Sequence, residues 1–295
     1  MSIRASVVSM VLKHTIRKQM STFEEPAALR EQMSRSTGKP PADVTVKPVS
    51  VDGVPAEWLA AEGAAEDAAL LYLHGGGYVF GGPDSHRDVA ARLAKETKLR
   101  VLLIDYRLAP EHPFPAAVED ATTAYRFLLA EGYPPERLLL AGDSAGGGLA
   151  MALMVNLKDL ELPLPRAAAL ISPWVDMTLL AESLLGNADK DVMLSPEAIN
   201  RFATHYLKGQ DPRSPLASPL HADLAGMPPV YVVVGSTEVL LSDSESLVAK
   251  LTEAGSDAEL VVWPKMPHAF PVLSSLIPEG RQAIGNIGAF LAARL

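Results

Sequence analysis

The sequence predicts an α/β fold in which helices cover both faces of a mostly parallel β-sheet. From about residue 43, short apolar runs alternate with helical patterns, an alternation that is typical of parallel sheets. Several of the runs are almost continuously apolar, as expected of strands that are buried on both faces. The chain has 295 residues, of which 48% are hydrophobic and 21% charged, so it can bury a core of this size.

The individual elements follow from these runs and from the turn residues between them. An opening antiparallel hairpin is predicted over 44–51 and 56–60, joined by the turn-forming pair Asp52-Gly53. Further strands are predicted at 68–74, 99–106, 138–143, 167–172, 230–235 and 258–263, and helices at 87–97, 116–130, 147–158, 242–254 and 278–294. The hairpin supplies the antiparallel part of the sheet, and the later strands supply the parallel part.

Two regions interrupt this alternation. Residues 1–42 are helix-like and precede the first strand, and residues 174–226 form a proline-dotted insertion with a helical stretch at 196–208. Both would suit a helical cap over the carboxyl ends of the strands, where ligands bind in such folds. We therefore predict N-terminal cap helices at 1–42, a cap insertion at 174–226, and a catalytic domain formed by 43–173 and 227–295.

Composition excludes several classes of function. The net charge of −9 without a basic stripe disfavours a nucleic-acid partner. The absence of cysteine excludes a disulfide scaffold, a thiolate metal site and a thiol nucleophile. No sequence feature indicates a metal ion or another cofactor, and we expect none.

No apolar run approaches the ~18–20 residues that a membrane-spanning helix needs. Residues 7–12 are apolar but too short for a signal-peptide core, and they continue directly into the basic residues of 13–18. We interpret this stretch as an amphipathic helix of the fold, with a peripheral membrane contact as the alternative. The expected location is cytoplasmic.

A candidate nucleophile, Ser144, lies in Gly142-Asp143-Ser144-Ala145-Gly146 between a predicted strand and a predicted helix. This strand–turn–helix context defines a nucleophile elbow, whose tight turn requires small neighbours and exposes the serine hydroxyl. The alternative is a glycine-rich turn without chemistry. Phosphate binding is disfavoured, because no lysine follows the glycines.

A second glycine run, His74-Gly75-Gly76-Gly77, follows the predicted strand at 68–74. Acyl transfer places negative charge on a carbonyl oxygen, which needs backbone N–H donors at about 2.7–3.1 Å. Our candidates for this oxyanion hole are the amides of Gly76, Gly77 and Ala145. A flexible loop is the alternative, and His74 is interpreted as a structural residue.

The serine requires a histidine base and a carboxylate that orients it. In enzymes with a nucleophile elbow, both follow the serine on loops after later strands. Among seven histidines, only His268 follows a late strand. Glu238 follows the strand at 230–235 and is the preferred acid, whereas Asp243 is the rival, at a position where helix capping also explains it.

Together these motifs resemble the bacterial esterase branch of the hormone-sensitive-lipase-like family of α/β-hydrolases. The resemblance runs from about residue 40 to the end and is carried by 74–77, 105–111 and 142–147. It implies an α/β-hydrolase sheet of about eight strands with a helical cap, and activity on short- to medium-chain acyl esters without a cofactor. The family usually has aspartate as the acid, where this chain has Glu238.

The leading hypothesis is a serine carboxylesterase that acts on small-molecule esters through an acyl-enzyme formed on Ser144. Amide or peptide hydrolysis by the same residues is a second hypothesis. A small-molecule receptor without catalysis is a third, although such proteins usually lack a member of the triad. The family likeness also suggests a homodimer through an exposed edge strand at 258–263.

Overall fold

The predicted sheet is present with eight strands. The computed structural model describes residues 1–23, 25–34 and 40–295. The strands are β1 (Val44–Val51), β2 (Val54–Ala61), β3 (Ala65–Leu73), β4 (Leu99–Ile104), β5 (Leu138–Asp143), β6 (Ala167–Ile171), β7 (Val230–Gly235) and β8 (Ala258–Trp263). Their spatial order is β1-β2-β4-β3-β5-β6-β7-β8. β1 and β2 are antiparallel to their neighbours, and every pair from β4 to β8 is parallel.

The opening hairpin has the predicted turn. β1 and β2 pair with each other and are joined by Asp52 and Gly53, which have φ angles of 49° and 95°. Two consecutive left-handed residues match the right-handed twist of a hairpin, and Asp-Gly is well suited to them. β2 begins two residues before the predicted start at 56, because the tight turn lets pairing continue up to Val54.

The helices along the described residues are α1 (Ile3–His14), α2 (Ile16–Thr22), α3 (Pro26–Ser34), α4 (Pro83–Thr97), α5 (Ala116–Ala130), α6 (Ala145–Asp159), α7 (Glu182–Gly186), α8 (Pro196–Leu207), α9 (Leu241–Glu253) and α10 (Pro278–Ala292). Buried side chains form one cluster on each face of the sheet, with α4 and α10 on one face and α5, α6 and α9 on the other. Helices therefore cover both faces, as predicted.

The predicted cap regions both contain helices. α1 to α3 fall within 1–42, although residue 24 and residues 35–39 of that range lie outside the described residues. The insertion at 174–226 contains α8 and also the short α7, which was not predicted. Among the described residues, no helix combines the length and apolarity that a membrane crossing requires. The cytoplasmic location stays a prediction.

Candidate active site

The turn that carries Ser144 is tight and strained. Ser144 lies between β5 and α6 with φ 53° and ψ −120°, a conformation that non-glycine residues rarely adopt. A Cβ atom at Gly146 would lie 2.1 Å from the carbonyl oxygen of Leu73, so a larger residue does not fit there. This close approach also lets α6 begin at Ala145, two residues before the predicted start at 147.

Ser144, His268 and Glu238 form a continuous hydrogen-bonded chain. The Ser144 Oγ lies 2.9 Å from His268 Nε2, and His268 Nδ1 lies 2.7 Å from Glu238 Oε2. Because Nδ1 faces a carboxylate, it carries the proton and donates it, which leaves Nε2 as the acceptor for the serine hydroxyl. All three side chains are buried, Glu238 completely. The structure thus brings together the three residues that the sequence nominated.

Ser172 fixes the second oxygen of the acid. Its Oγ donates to Glu238 Oε1 at 2.7 Å and accepts from the amide of Ala269 at 3.2 Å. The amide of Gly235 donates to the same oxygen at 2.5 Å. Ser172 therefore links the loop of the acid to the loop of the base. Sequence reasoning missed it, because one serine after a strand carries no distinguishing signal.

The rival acid, Asp243, lies elsewhere. Its Oδ1 accepts from the amides of Val175 and Asp176, both at 3.2 Å, and it makes no hydrogen bond with His268. Burial raises the pKa of Asp243 to about 7. It lies in the first turn of α9, where it ties the start of the insertion to that helix.

Burial and pairing act in opposite directions on the base. Burial lowers the pKa of His268. The hydrogen bond to Glu238 and the charge of its carboxylate raise this pKa by more than burial lowers it, so the net shift is upward. Burial also raises the pKa of Glu238, and the hydrogen bond to His268 opposes that shift. The neutral imidazole that a general base requires is therefore present only above a raised pKa.

The second glycine run lies beside the serine in a conformation that favours glycine. Gly76 and Gly77 have φ angles of 119° and 61°. A Cβ atom at Gly76 would lie 2.0 Å from the carbonyl oxygen of Phe80, and one at Gly77 would lie 2.7 Å from the ring of Phe202. Neither amide donates a hydrogen bond to another described residue. Ala145 is the first residue of α6, so its N–H has no partner within the helix.

Asp143 holds the start of this glycine loop through a hydrogen bond to its backbone. Its Oδ1 accepts from the amide of Gly75 at 3.0 Å and from the hydroxyl of Tyr72 at 2.8 Å, and its Oδ2 lies 3.3 Å from His86 Nε2. Burial raises the pKa of Asp143. His86 and these hydrogen bonds lower this pKa by more than burial raises it, so the net shift is downward. Sequence reasoning missed Asp143 and His86. The available signal was an acidic residue ending an otherwise apolar strand.

His74 has surroundings that suit the structural role predicted for it. Its Nδ1 lies 2.7 Å from the carbonyl oxygen of Gly75, and its ring stacks on Tyr106 with centroids 4.1 Å apart. The Tyr106 hydroxyl donates to the His74 carbonyl oxygen at 2.7 Å. Burial lowers the pKa of His74 to about 3, so its ring is neutral. Tyr106 of the run at 105–111 thus contacts the start of the glycine loop.

A cavity of about 260 Å³ reaches Ser144 and His268. Its walls are mainly apolar and come from both predicted cap regions: Leu12, Ile16 and Met20 from α1 and α2, and Met193, Leu194, Ile199 and Phe202 from the insertion. Trp174 lines it too while being almost fully buried, so it also packs in the core. Within the described part of the chain, no group of three His, Asp or Glu side chains is arranged to hold a metal ion.

Comparison with known proteins gives a consistent result. A family model described as alpha/beta hydrolase fold matches residues 70–272. The chain is 46% identical over 255 residues to an acetyl-hydrolase of Streptomyces hygroscopicus, covering 86% of this chain and 83% of the relative. Among solved structures, EstE5 soaked with p-nitrophenyl butyrate is 40% identical with a TM-score of 0.96, covering 100% of this chain and 99% of EstE5. An esterase from the bacterial hormone-sensitive lipase family is 43% identical with a TM-score of 0.94, again over 100% and 99% of the two chains.

Proposed function

The chain belongs to the bacterial hormone-sensitive-lipase family of α/β-hydrolases and is a carboxylic ester hydrolase, and on this basis we propose that Ser144, His268 and Glu238 are its catalytic triad. The supporting observation is the hydrogen-bonded chain from the Ser144 hydroxyl to the buried Glu238 carboxylate. The proposed substrates are short- to medium-chain acyl esters.

In the acylation half-reaction, Ser144 Oγ attacks the carbonyl carbon of the ester while His268 Nε2 accepts the hydroxyl proton. The carbonyl oxygen gains negative charge, and the amides of Gly76, Gly77 and Ala145 supply the donors that stabilise it. When the ester C–O bond breaks, His268 returns its proton to the leaving alkoxide, so an alcohol departs. Glu238 holds the imidazole in the required tautomer and stabilises the imidazolium.

In the deacylation half-reaction, a water molecule attacks the acyl-enzyme and His268 accepts one of its protons. The bond between the acyl carbon and Ser144 Oγ breaks, and His268 protonates the serine oxygen. A carboxylic acid leaves, and the resting enzyme is regenerated. The same donors serve both tetrahedral intermediates, since the oxygen that gains charge is the same.

The size of the cavity supports small substrates. About 260 Å³ lies just below the ~300–1,000 Å³ that is usual for ligand pockets. The mainly apolar walls suit a short acyl chain next to Ser144. The EstE5 structure soaked with p-nitrophenyl butyrate concerns a four-carbon acyl ester on a closely similar chain.

We propose that residues 1–42 and 174–226 together form a cap, named here the two cap segments, over a catalytic domain formed by 43–173 and 227–295. Arg17 of α2 supports this division, because its guanidinium donates to the carbonyl oxygens of Asp191, Ala188 at 2.7 Å and Leu194 at 3.1 Å. Arg201 of α8 donates in turn to the carbonyl oxygen of Phe23 at 2.5 Å. The two segments therefore hold each other above the serine.

A homodimer through β8 is a further part of the proposal. β8 is an edge of the sheet, and Val262 on it is 39% exposed. An unpaired edge can be extended by a second copy. Gel filtration of the purified protein measures the size directly, and a monomer at working concentration contradicts this part alone.

The decisive experiment removes the nucleophile. Ser144→Ala should lower kcat for p-nitrophenyl butyrate by at least about 10⁴-fold, because no other hydroxyl replaces Oγ in the triad. Ser244→Ala is the matched control, since Ser244 is also buried but lies on α9. If Ser144→Ala keeps ordinary turnover while remaining folded, the proposed mechanism is wrong.

A further inference from the structure

Helix α1 is apolar on two opposite sides. Its inner side packs on the protein, with Ala5 and Leu12 buried. Its outer side carries four exposed apolar residues, which are Ile3 (85% exposed), Val7 (55%), Met10 (66%) and Val11 (54%). These positions are spaced by four, three and one residues, so they form one stripe about 100° wide on the helix. An apolar stripe on the outer side of a helix, in addition to the side that packs on the protein, indicates that the outer side meets an apolar environment.

The charge of this region differs from that of the whole chain. Residues 1–23 contain Arg4, Lys13, Arg17 and Lys18 and no Asp or Glu, whereas the chain has a net charge of −9. Arg4, Lys13 and Lys18 are exposed. A basic segment with an exposed apolar stripe therefore stands out on an acidic protein.

The same segment forms part of the wall of the catalytic cavity. Leu12 and Ile16 line that cavity, and so does Leu276, which is itself 54% exposed. The hydroxyl of Ser2 donates to Glu279 of α10 at 3.0 Å, which fixes the start of α1 against the body of the protein. Only the diameter of one helix, about 10–12 Å, thus separates the outer stripe from the cavity.

We propose that the outer stripe of α1 docks on the surface of an anionic lipid bilayer. Val7, Met10 and their neighbours enter the boundary between headgroups and acyl chains, while the exposed basic residues lie beside lipid phosphates. Charge decides between this occupant and a second copy of the chain. A two-fold contact through α1 would set Lys13 and Arg4 against the same basic residues of the other copy.

Docking would bring the cavity close to esters that partition into the bilayer. The inference concerns a binding surface, so it is tested without turnover and does not depend on which residues form the triad. Its failure and the failure of the proposed triad are therefore separate results.

The experiment measures co-sedimentation of the full chain with vesicles of phosphatidylcholine, with and without phosphatidylglycerol. The expected result is binding to the anionic vesicles, which weakens as salt is added. Val7→Gln/Met10→Gln should weaken this binding about tenfold or more, by removing apolar contacts. Lys13→Glu/Lys18→Glu should weaken it about tenfold or more, by opposing the lipid charge.

Two matched controls make the same chemical changes elsewhere. Leu160→Gln alters an exposed leucine at the end of α6, about 24 Å along that helix from Ser144. Lys98→Glu reverses an exposed charge at the end of α4. Both controls should bind like the unaltered chain. Hydrolysis of p-nitrophenyl acetate by all four variants reports that they are folded.

Three results would overturn the proposal. The first is equal sedimentation with neutral and anionic vesicles. The second is binding by Val7→Gln/Met10→Gln that matches the Leu160→Gln control. The third is a dimer in gel filtration that Val7→Gln/Met10→Gln dissociates, since that result assigns the stripe to a second copy.

Discussion

The proposed catalytic groups and the walls of the cavity are held in different ways. Ser144 and Glu238 follow β5 and β7, which are buried along their whole length, and His268 follows the edge strand β8, which pairs with β7. The two cap segments are held instead by Arg17, Arg201 and ring contacts such as Phe23 on Phe202, whose centroids lie 5.4 Å apart.

This difference separates chemistry from substrate choice. Backbone pairing in the sheet fixes the distances between the residues of the proposed triad, and a shift of 1 Å in such a site costs catalysis heavily. The cap segments bury apolar side chains around the cavity without contributing a triad residue. Substitutions at the residues that follow the strands should therefore lower kcat, and substitutions in the proposed cap should change substrate preference.

After loss of the nucleophile, the largest effect should come from Glu238, the proposed acid. Glu238→Gln is expected to lower kcat by about 10³–10⁴-fold, because an amide stabilises neither the required tautomer nor the imidazolium. Asp243→Asn is the matched control and should change kcat only slightly, since that residue contacts Val175 and Asp176. Steady-state kinetics with p-nitrophenyl butyrate measures both. A larger loss for Asp243→Asn would reverse the assignment.

A smaller loss of kcat is expected at Gly77, which lies in the glycine loop after β3 and contacts Phe202 of the insertion. Gly77→Ala should lower kcat by about 10²–10³-fold, because the new Cβ meets Phe202 at 2.7 Å and displaces the amide that we propose as an oxyanion donor. Gly186→Ala is the control, since a Cβ there meets no atom within 4 Å. Full activity in Gly77→Ala would remove this amide from the oxyanion hole.

A cap substitution should change preference more than rate. Phe202→Leu shortens a wall of the cavity, so kcat/KM should rise for hexanoate and octanoate esters relative to butyrate, by about tenfold or less. Phe127→Leu on α5 makes the same change away from the cavity and should leave the ratio unaltered. A series of p-nitrophenyl esters gives the ratio. An equal fall for every ester would show that Phe202 supports the site without selecting substrates.

The smallest effect concerns pH. Protonated His268 cannot accept the serine proton, so kcat/KM should fall as the pH drops through its pKa. Since Glu238 raises that pKa, the midpoint should lie above the ordinary value of about 6.5. In Glu238→Gln the residual activity should titrate at lower pH. A midpoint that stays in place in this variant would show that the carboxylate does not set it.

The sequence predicted most of the sheet, because buried strands and their turns leave local signals. The runs that became β5, β7 and β8 were predicted with their observed bounds. Ser144, Glu238 and His268 were nominated from the sequence for the same reason, since each follows such a run. The start of α6 was predicted late, because glycines at 146–148 are poor helix formers. Close contacts require them instead: Gly146 approaches the end of β3, and Gly147 and Gly148 approach Pro173 and Trp174.

The remaining parts of the site depend on contacts between distant residues. Asp143 meets Gly75 across 68 positions, and Ser172 meets Glu238 across 66. No local pattern marks such pairs. The short α7 has five residues, too few for a periodic signal. The cavity follows from how the two cap segments meet, so its volume could not be predicted.

The link between Arg17 and Leu194 has a consequence for biosynthesis. The two residues are separated by 177 positions, so a ribosome adding about 5–20 residues per second reaches the second one about 9–35 s after the first. Throughout that interval α1 and α2 have no insertion to dock on, and their apolar side chains stay accessible to chaperones. The two proposed cap segments therefore cannot meet until synthesis has passed Leu194, although one of them precedes the first strand of the sheet.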